Sequence, residues 1–183
     1  MTLGITEACP LRCRRCYADC GATPKPGELS IDAWQRIVTQ AVSDGVIQFY
    51  IEGGEPLLKP GFLGLLSHCA RDAYTLLRTH GTLIDEVTAD ALAMAGVGRV
   101  LVDLMGADAA THDWFTGVPG SFDAACDGIR RCVARGIATD VLTILTRRNA
   151  AHLNALLQLA STLEAQRVGV LRLYPLGRAK QAW

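Results

Sequence analysis

Cys9-Pro10-Leu11-Arg12-Cys13-Arg14-Arg15-Cys16-Tyr17 is a C-x3-C-x2-C run closed by an aromatic residue. Three soft thiolates this close in sequence can converge on one metal centre. A four-iron cluster held by three thiolates keeps one iron without a protein ligand. An electron carrier usually fills that place, whereas a catalyst leaves it open for a substrate. The competing reading is zinc, or a four-thiolate site completed by Cys20. Zinc knuckles favour paired C-x2-C units, and no second pair exists in this chain.

On either side of the triplet, short apolar runs alternate with helical patterns. Strands are predicted at residues 2–6, 46–51, 74–78, 99–103, 139–145 and 168–174, and helices at 31–43, 61–71, 85–95, 121–135 and 150–164. The first helix shows Ile31, Trp34, Ile37, Val38 and Ala41 on one face, with Ser30 as its N-cap and Gly45 available to close it. This alternation predicts an α/β fold: a parallel sheet curled into a partial (β/α)6, TIM-like barrel. Residues 22–28, carrying Pro24 and Pro26, read as the one linker-like loop, inside the first β-α connection. The last strand is apolar on both faces through Val168, Val170, Leu171 and Leu173, which expects cover on both sides. No helix is predicted after Tyr174. The 183 residues therefore read as a single core domain, 1–183, lacking a C-terminal helix and extension of a longer protein.

Parallel barrels carry their working groups at the C-terminal ends of strands. The cysteine loop follows the first strand. Gly53-Gly54-Glu55-Pro56 follows the second, where two glycines let backbone approach a ligand and Glu55 can accept hydrogen bonds from an ammonium group. Thr79-His80-Gly81-Thr82 follows the third and Asp103-Leu104-Met105-Gly106 the fourth, while His112-Asp113 begins the long connection after it. Glu52 is either a substrate contact or a satisfied buried carboxylate.

Together these segments resemble the signature of the radical S-adenosylmethionine (radical SAM) superfamily. The resemblance implies that Cys9, Cys13 and Cys16 hold a [4Fe-4S] cluster whose open iron takes the amino and carboxylate groups of S-adenosylmethionine (SAM). It implies an electron donor such as flavodoxin or ferredoxin. The reduced cluster then cleaves the sulfonium bond, giving methionine and a 5′-deoxyadenosyl radical that abstracts a substrate hydrogen. Gly53, Gly54 and Glu55 match the family's motif for the SAM amino group. Tyr17, Thr79, Asp103 and Leu171 are the positions it implies for the nucleoside half of SAM.

Several positions depart from the family pattern. His80 replaces the asparagine of its T-N-G-T turn. Asp103 and Met105 stand where serine and aspartate are common in its S-x-D-G segment. His112-Asp113-x-x-Thr116-Gly117 and Gly120-Ser121-Phe122 resemble its H-D-x-x-R-G…G-S-F stretch, with Thr116 in place of the arginine that often pairs with the SAM carboxylate. Arg78, Arg147 and Arg172 are the candidate substitutes. Arg172-Leu173-Tyr174-Pro175-Leu176-Gly177-Arg178-Ala179 resembles the end of the sixth strand in the SPASM-type subfamily, whose cysteine-rich extension this chain lacks.

That subfamily resemblance implies a peptide or protein substrate; a tetrapyrrole or other small cofactor precursor is the rival. In a different class stands an iron-sulfur electron carrier or redox sensor with Cys20 as fourth ligand, which has no need of Gly53-Gly54-Glu55. Composition narrows the rest. With 18 basic and 18 acidic residues, the chain has no charge excess for a nucleic-acid surface. No apolar run approaches the ~18 residues of a membrane span, and no basic-then-apolar leader opens the chain. The reading is cytoplasmic. Seven cysteines fit poorly with a disulfide framework; Cys69, Cys126 and Cys132 lie on apolar helical faces and read as buried small hydrophobes. Arg12, Arg14 and Arg15 either hold an anionic group, balance cluster charge or are solvated loop residues.

Overall fold

The computed structural model describes residues 1–182. Six parallel strands lie side by side in sequence order: β1 (Thr2–Gly4), β2 (Gln48–Glu52), β3 (Tyr74–Thr79), β4 (Arg99–Asp103), β5 (Thr139–Leu145) and β6 (Arg167–Arg172). Helices α1 (Ile31–Ser43), α2 (Phe62–Asp72), α3 (Glu86–Met94), α4 (Ala109–Thr116), α5 (Ser121–Ala134) and α6 (Leu153–Thr162) fill the connections. Every neighbouring pair is parallel, so each strand needs a crossover, and the apolar helix faces cover the outside of the sheet. β1 and β6 are the two edges, and the sheet is not closed. This is the predicted partial barrel.

The core is the layer between sheet and helices. Phe49, Ile51, Leu77, Val100, Val102 and Val141 from the strands pack with Phe62, Leu65, Leu66, Leu92, Ile129 and Leu156 from the helices. Cys69, Cys126 and Cys132 are buried in this layer, as small hydrophobes. α1 begins at the Ser30 cap, whose hydroxyl accepts from Ala33 N at 3.2 Å.

Four expectations need correction. First, α4 lies where no helix is predicted, around the His112-Asp113 start of the long connection after β4. Asp108 caps it by accepting from Thr111 N at 2.7 Å, and Gly117 ends it in the left-handed conformation. Second, the predicted helix 150–164 is a 3-10 turn (Ala150–His152) followed by the shorter α6. Third, β6 is not covered on both faces: Val170 on this edge strand is 46% exposed. Fourth, the chain does turn helical after Tyr174, as a 3-10 segment over Gly177–Ala182.

The proline-bearing loop 22–28 is also better anchored than a linker. The Glu28 carboxylate at its end accepts from Glu7 N (2.7 Å), Thr6 Oγ1 (3.0 Å) and Lys59 Nζ (3.0 Å). These bonds hold its pKa below the ordinary carboxylate range against the opposing effect of burial. Among the described residues no helix is long and apolar enough to cross a membrane.

Candidate functional site

The C-terminal ends of the strands open onto one cavity. Its wall includes Cys9, Cys13, Cys16 and Tyr17 from the loop after β1, Gly53 and Gly54 after β2, Thr79 and His80 after β3, and Asp103 and Met105 after β4. Residues spread over roughly half the chain are thus brought together by parallel crossovers that all return to the same end of the sheet.

The cysteine loop is fixed on two sides. Cys9 N donates to Gly21 O at 2.7 Å, closing the loop on itself. Arg12 N and Arg14 N donate to Thr116 O and Phe115 O, both at 2.9 Å, so the end of α4 supports the middle of the loop. Arg14 also donates from Nε to Trp114 O at 2.8 Å, and its guanidinium lies 5.3 Å from the Trp114 ring centre. The Arg15 guanidinium lies over the same ring, 6.0 Å from its centre. These two arginines pack on an aromatic residue that sequence reading did not connect with them.

Burial raises the Cys9 thiol to about 11 and the Cys13 thiol to about 12, the latter also by repulsion from Cys9 and Cys16. Cys16 moves the other way, to about 5, chiefly because the Cys20 thiol donates to it. The same contact, with burial, pushes Cys20 up. Cys20, read from sequence as a candidate fourth ligand, lines the same cavity. Among the described residues no three His, Cys, Asp or Glu side chains form a compact set around a single ion. The three thiols instead share a cavity wall, an arrangement that fits a polynuclear group with several ligand points.

The two glycines answer a close approach of backbones. A Cβ on Gly53 would sit 2.4 Å from Thr6 O, and one on Gly54 would sit 2.3 Å from Ala8 O. Gly54 N donates to Thr6 O and Glu55 N to Ala8 O, each at 2.7 Å. The turn after β2 is therefore laid directly on the start of the cysteine loop, leaving backbone rather than side chains on the cavity wall.

Glu55 lies behind that wall and is fully buried. Its carboxylate accepts from Leu57 N (3.1 Å), His80 N (3.0 Å) and the Thr79 hydroxyl. His80 Nε2 lies 3.1 Å from the same carboxylate, while Nδ1 accepts from Thr82 N at 3.1 Å, which assigns the ring proton to Nε2. Leu171 lines a second cavity that adjoins the first and shares Tyr17, Glu52 and Arg78 with it.

Glu52, Arg78 and Asp103 form an ion triad across the ends of β2, β3 and β4. Arg78 Nε is 3.1 Å from Asp103 Oδ1, and its Nη1 is 3.4 Å from Glu52 Oε2. The Asp103 charge raises the Arg78 pKa further, and the Tyr17 hydroxyl, which donates to Glu52 at 3.0 Å, is raised by burial and by that carboxylate. Of the three arginines considered for a ligand carboxylate, Arg78 lines the cysteine cavity and Arg172 the neighbouring one.

Two motif residues serve the frame. His112 accepts from Met105 N through Nδ1 at 3.1 Å, and burial lowers its pKa to about 4, so the ring is neutral. Asp113 accepts from Gly120 N, Ser121 Oγ and Phe122 N, capping the N-terminus of α5. Thr116 lines the cavity and bonds Ser121 through its hydroxyl at 2.7 Å. Asn149, which sequence reading passed over, donates to Met105 O (3.0 Å) and Ile144 O (2.9 Å), tying the ends of β4 and β5 together.

Comparison with known proteins agrees with this architecture. Residues 3–160 match the family model of the radical SAM superfamily. The chain is 30% identical to an AdoMet-dependent heme synthase of Nitratidesulfovibrio vulgaris over 96% of its own length and 48% of that protein. It is 33% identical to the mycofactocin maturase MftC of Mycobacterium tuberculosis, over 100% of this chain and 46% of that one. The chain thus spans about half the length of these curated relatives. The crystal structure of Streptococcus suis SuiB bound to precursor peptide SuiA superposes with a TM-score of 0.84 at 20% identity, covering 95% of this chain and 39% of SuiB, which shows a shared fold. With the family match running through every strand but the last, and its three cysteines on the wall of one cavity, the chain belongs to the radical SAM superfamily.

Proposed function

We propose that this chain is the core of a radical SAM enzyme that modifies a peptide or protein. The observation that carries the reading is the shared wall: three thiols and two backbone-exposing glycines face one cavity at the C-terminal end of a parallel sheet. Cys9, Cys13 and Cys16 would hold a [4Fe-4S] cluster, and the backbone of Gly53 and Gly54 would receive the amino end of SAM, with Glu55 behind that backbone holding it and its carboxylate charge in place. When bound, that pair supplies the electron transfer and the 5′-deoxyadenosyl radical that removes a substrate hydrogen.

The protein's own part is positioning and exclusion of water. Arg78 stands on the cavity wall as a cation available to a ligand carboxylate, oriented by Glu52 and Asp103. Tyr17, Thr79 and Asp103 supply polar groups toward the nucleoside half of SAM, and Leu171 lines the space beyond. Phe115, Met105 and Ile144 give the cavity an apolar floor that keeps solvent out of a radical reaction.

The identity with a PqqA peptide cyclase of Methylocella silvestris, 30% over 91% of this chain and 45% of that one, supports a peptide substrate. The heme synthase relative supports a second reading, in which the substrate is a tetrapyrrole. Anaerobic reconstitution with iron and sulfide, then reduction in the presence of SAM, tests the enzyme class. Release of 5′-deoxyadenosine is expected, and its absence from a protein that holds its cluster would overturn the reading. Deuterium transfer into 5′-deoxyadenosine from a labelled peptide or a labelled porphyrin precursor separates the two substrates.

A further inference from the structure

The segment after β6 reaches back across the whole chain to the cysteine loop. Arg178 donates from Nε to Cys13 O at 2.9 Å and from Nη1 to Cys20 O at 2.8 Å. The same Nη1 pairs with Asp19 Oδ1 at 2.7 Å. Gly177 makes this approach possible: a Cβ there would lie 2.5 Å from Tyr17 O and 2.7 Å from Cys16 O, and its φ is +51°. Ala179, the residue after Arg178, is fully buried. The 3-10 segment Gly177–Ala182 is therefore seated on the loop, with one guanidinium inserted among its carbonyls.

We propose that Arg178 is a positioning residue for the cluster: its fork fixes the loop that carries the three thiols, and its charge favours the reduced state of the group they hold. The proposal rests on the cluster assignment made above. The loop is held from below by the Cys9–Gly21 bond and from one side by the end of α4, through Arg12 and Arg14. Neither support touches the carbonyls of Cys13 and Cys20. Arg178 joins those two, which lie on opposite sides of Cys16, so its loss frees the half of the loop that carries the last thiolate. A planar guanidinium can meet two carbonyls and a carboxylate at once; an ammonium cannot do so in the same geometry.

The electrostatic half follows from where the other cations point. Arg14 and Arg15 stack on Trp114, whereas Arg178 is bonded into the backbone of the ligand loop itself. An iron-sulfur cluster on three thiolates gains negative charge on reduction, and hydrogen bonds and positive charge beside it raise its reduction potential. The exposure of the Arg178 side chain, 31%, leaves part of this effect to solvent screening.

The experiment compares wild type, Arg178→Gln, Arg178→Lys and, as a surface control, Lys180→Ala. The first readout is amide hydrogen exchange of residues 9–21 in the metal-free protein. Both Arg178 variants should exchange there about tenfold faster than wild type, from the loss of charge-assisted hydrogen bonds, with Lys180→Ala unchanged. The second readout is the midpoint potential of the reconstituted cluster. Arg178→Gln should be more negative than wild type, and Arg178→Lys should recover most of the difference by keeping the charge. Unchanged exchange in both variants would overturn the positioning role. Equal potentials in wild type and Arg178→Gln would overturn the electrostatic one. A wild-type protein that takes up no iron counts against the function proposed above, and the exchange comparison still decides the positioning. If Arg178→Gln fails to fold, Arg178→Lys carries the same exchange comparison.

Discussion

The Thr79 hydroxyl lies 2.9 and 2.8 Å from the two oxygens of the Glu55 carboxylate, tying the end of β3 to the turn that follows β2. Both residues are buried. The turn's backbone in turn rests on Thr6 and Ala8 at the start of the cysteine loop. One buried carboxylate therefore connects three strand ends around the cavity.

Replacing that carboxylate should have two separable effects. Glu55→Ala leaves the Thr79 hydroxyl and the amides of Leu57 and His80 without their acceptor, and should lower stability by about 2–4 kcal/mol in urea denaturation. Iron uptake should survive. SAM affinity, measured calorimetrically on the reconstituted protein, should fall roughly ten- to hundredfold. Lower stability with unchanged affinity would leave Glu55 a frame residue only.

Arg78 should matter to SAM where Arg147 does not. Arg78→Met removes the cation between Glu52 and Asp103, whose side chains are 21% and 23% exposed. The two carboxylates are then left facing each other, which should cost about 1–3 kcal/mol of stability given their partial exposure. SAM affinity should fall about tenfold or more through loss of a charge-assisted contact. Arg147→Ala serves as the matched control and should change neither.

Acidification should expose the buried histidine. His112 has its folded pKa lowered to about 4 from an ordinary value of 6.5, so between those values the unfolded chain binds a proton that the folded one does not. Its contribution is present above pH 6.5 and is lost as pH falls toward 4, about 3 kcal/mol in all. Asp113, also lowered, acts in a separate window below its ordinary value of 3.8. Thermal melts from pH 7 to 4.5 should therefore show a flatter decline for His112→Asn, which keeps an acceptor near the Nδ1 position, than for wild type. Parallel declines would remove His112 as the source.

Much of the barrel was legible because parallel strands covered by helices must be apolar, and Val100-Leu101-Val102 is buried throughout. The candidate site was legible as a place because the cysteine triplet and the glycine pair lie in local sequence, and both line one cavity. What escaped were features without a local signal or with a misleading one. α4 buries His112 and Thr116 beside Phe115, so its inward face does not read as apolar, although Asp108 and Gly117 mark both of its ends. Glu55 reads as a ligand contact, but besides Leu57 N its donors, the Thr79 hydroxyl and His80 N, lie some two dozen residues on. The grip of Arg178 on Cys13 joins residues 165 positions apart, a separation no spacing rule spans.

The central proposal is that three thiolates, and not four, hold an iron-sulfur cluster. Cys20 touches Cys16 and lines the same cavity, so proximity alone does not separate the two. Electron paramagnetic resonance of the reduced, reconstituted Cys20→Ala protein, recorded with and without SAM, does. The expected result is about four irons per chain and a signal that changes when SAM is added, as in wild type, with no cluster in Cys9→Ala, Cys13→Ala or Cys16→Ala. Loss of the cluster from Cys20→Ala, or a wild-type signal indifferent to SAM, would overturn the open-iron site and leave an electron carrier in its place.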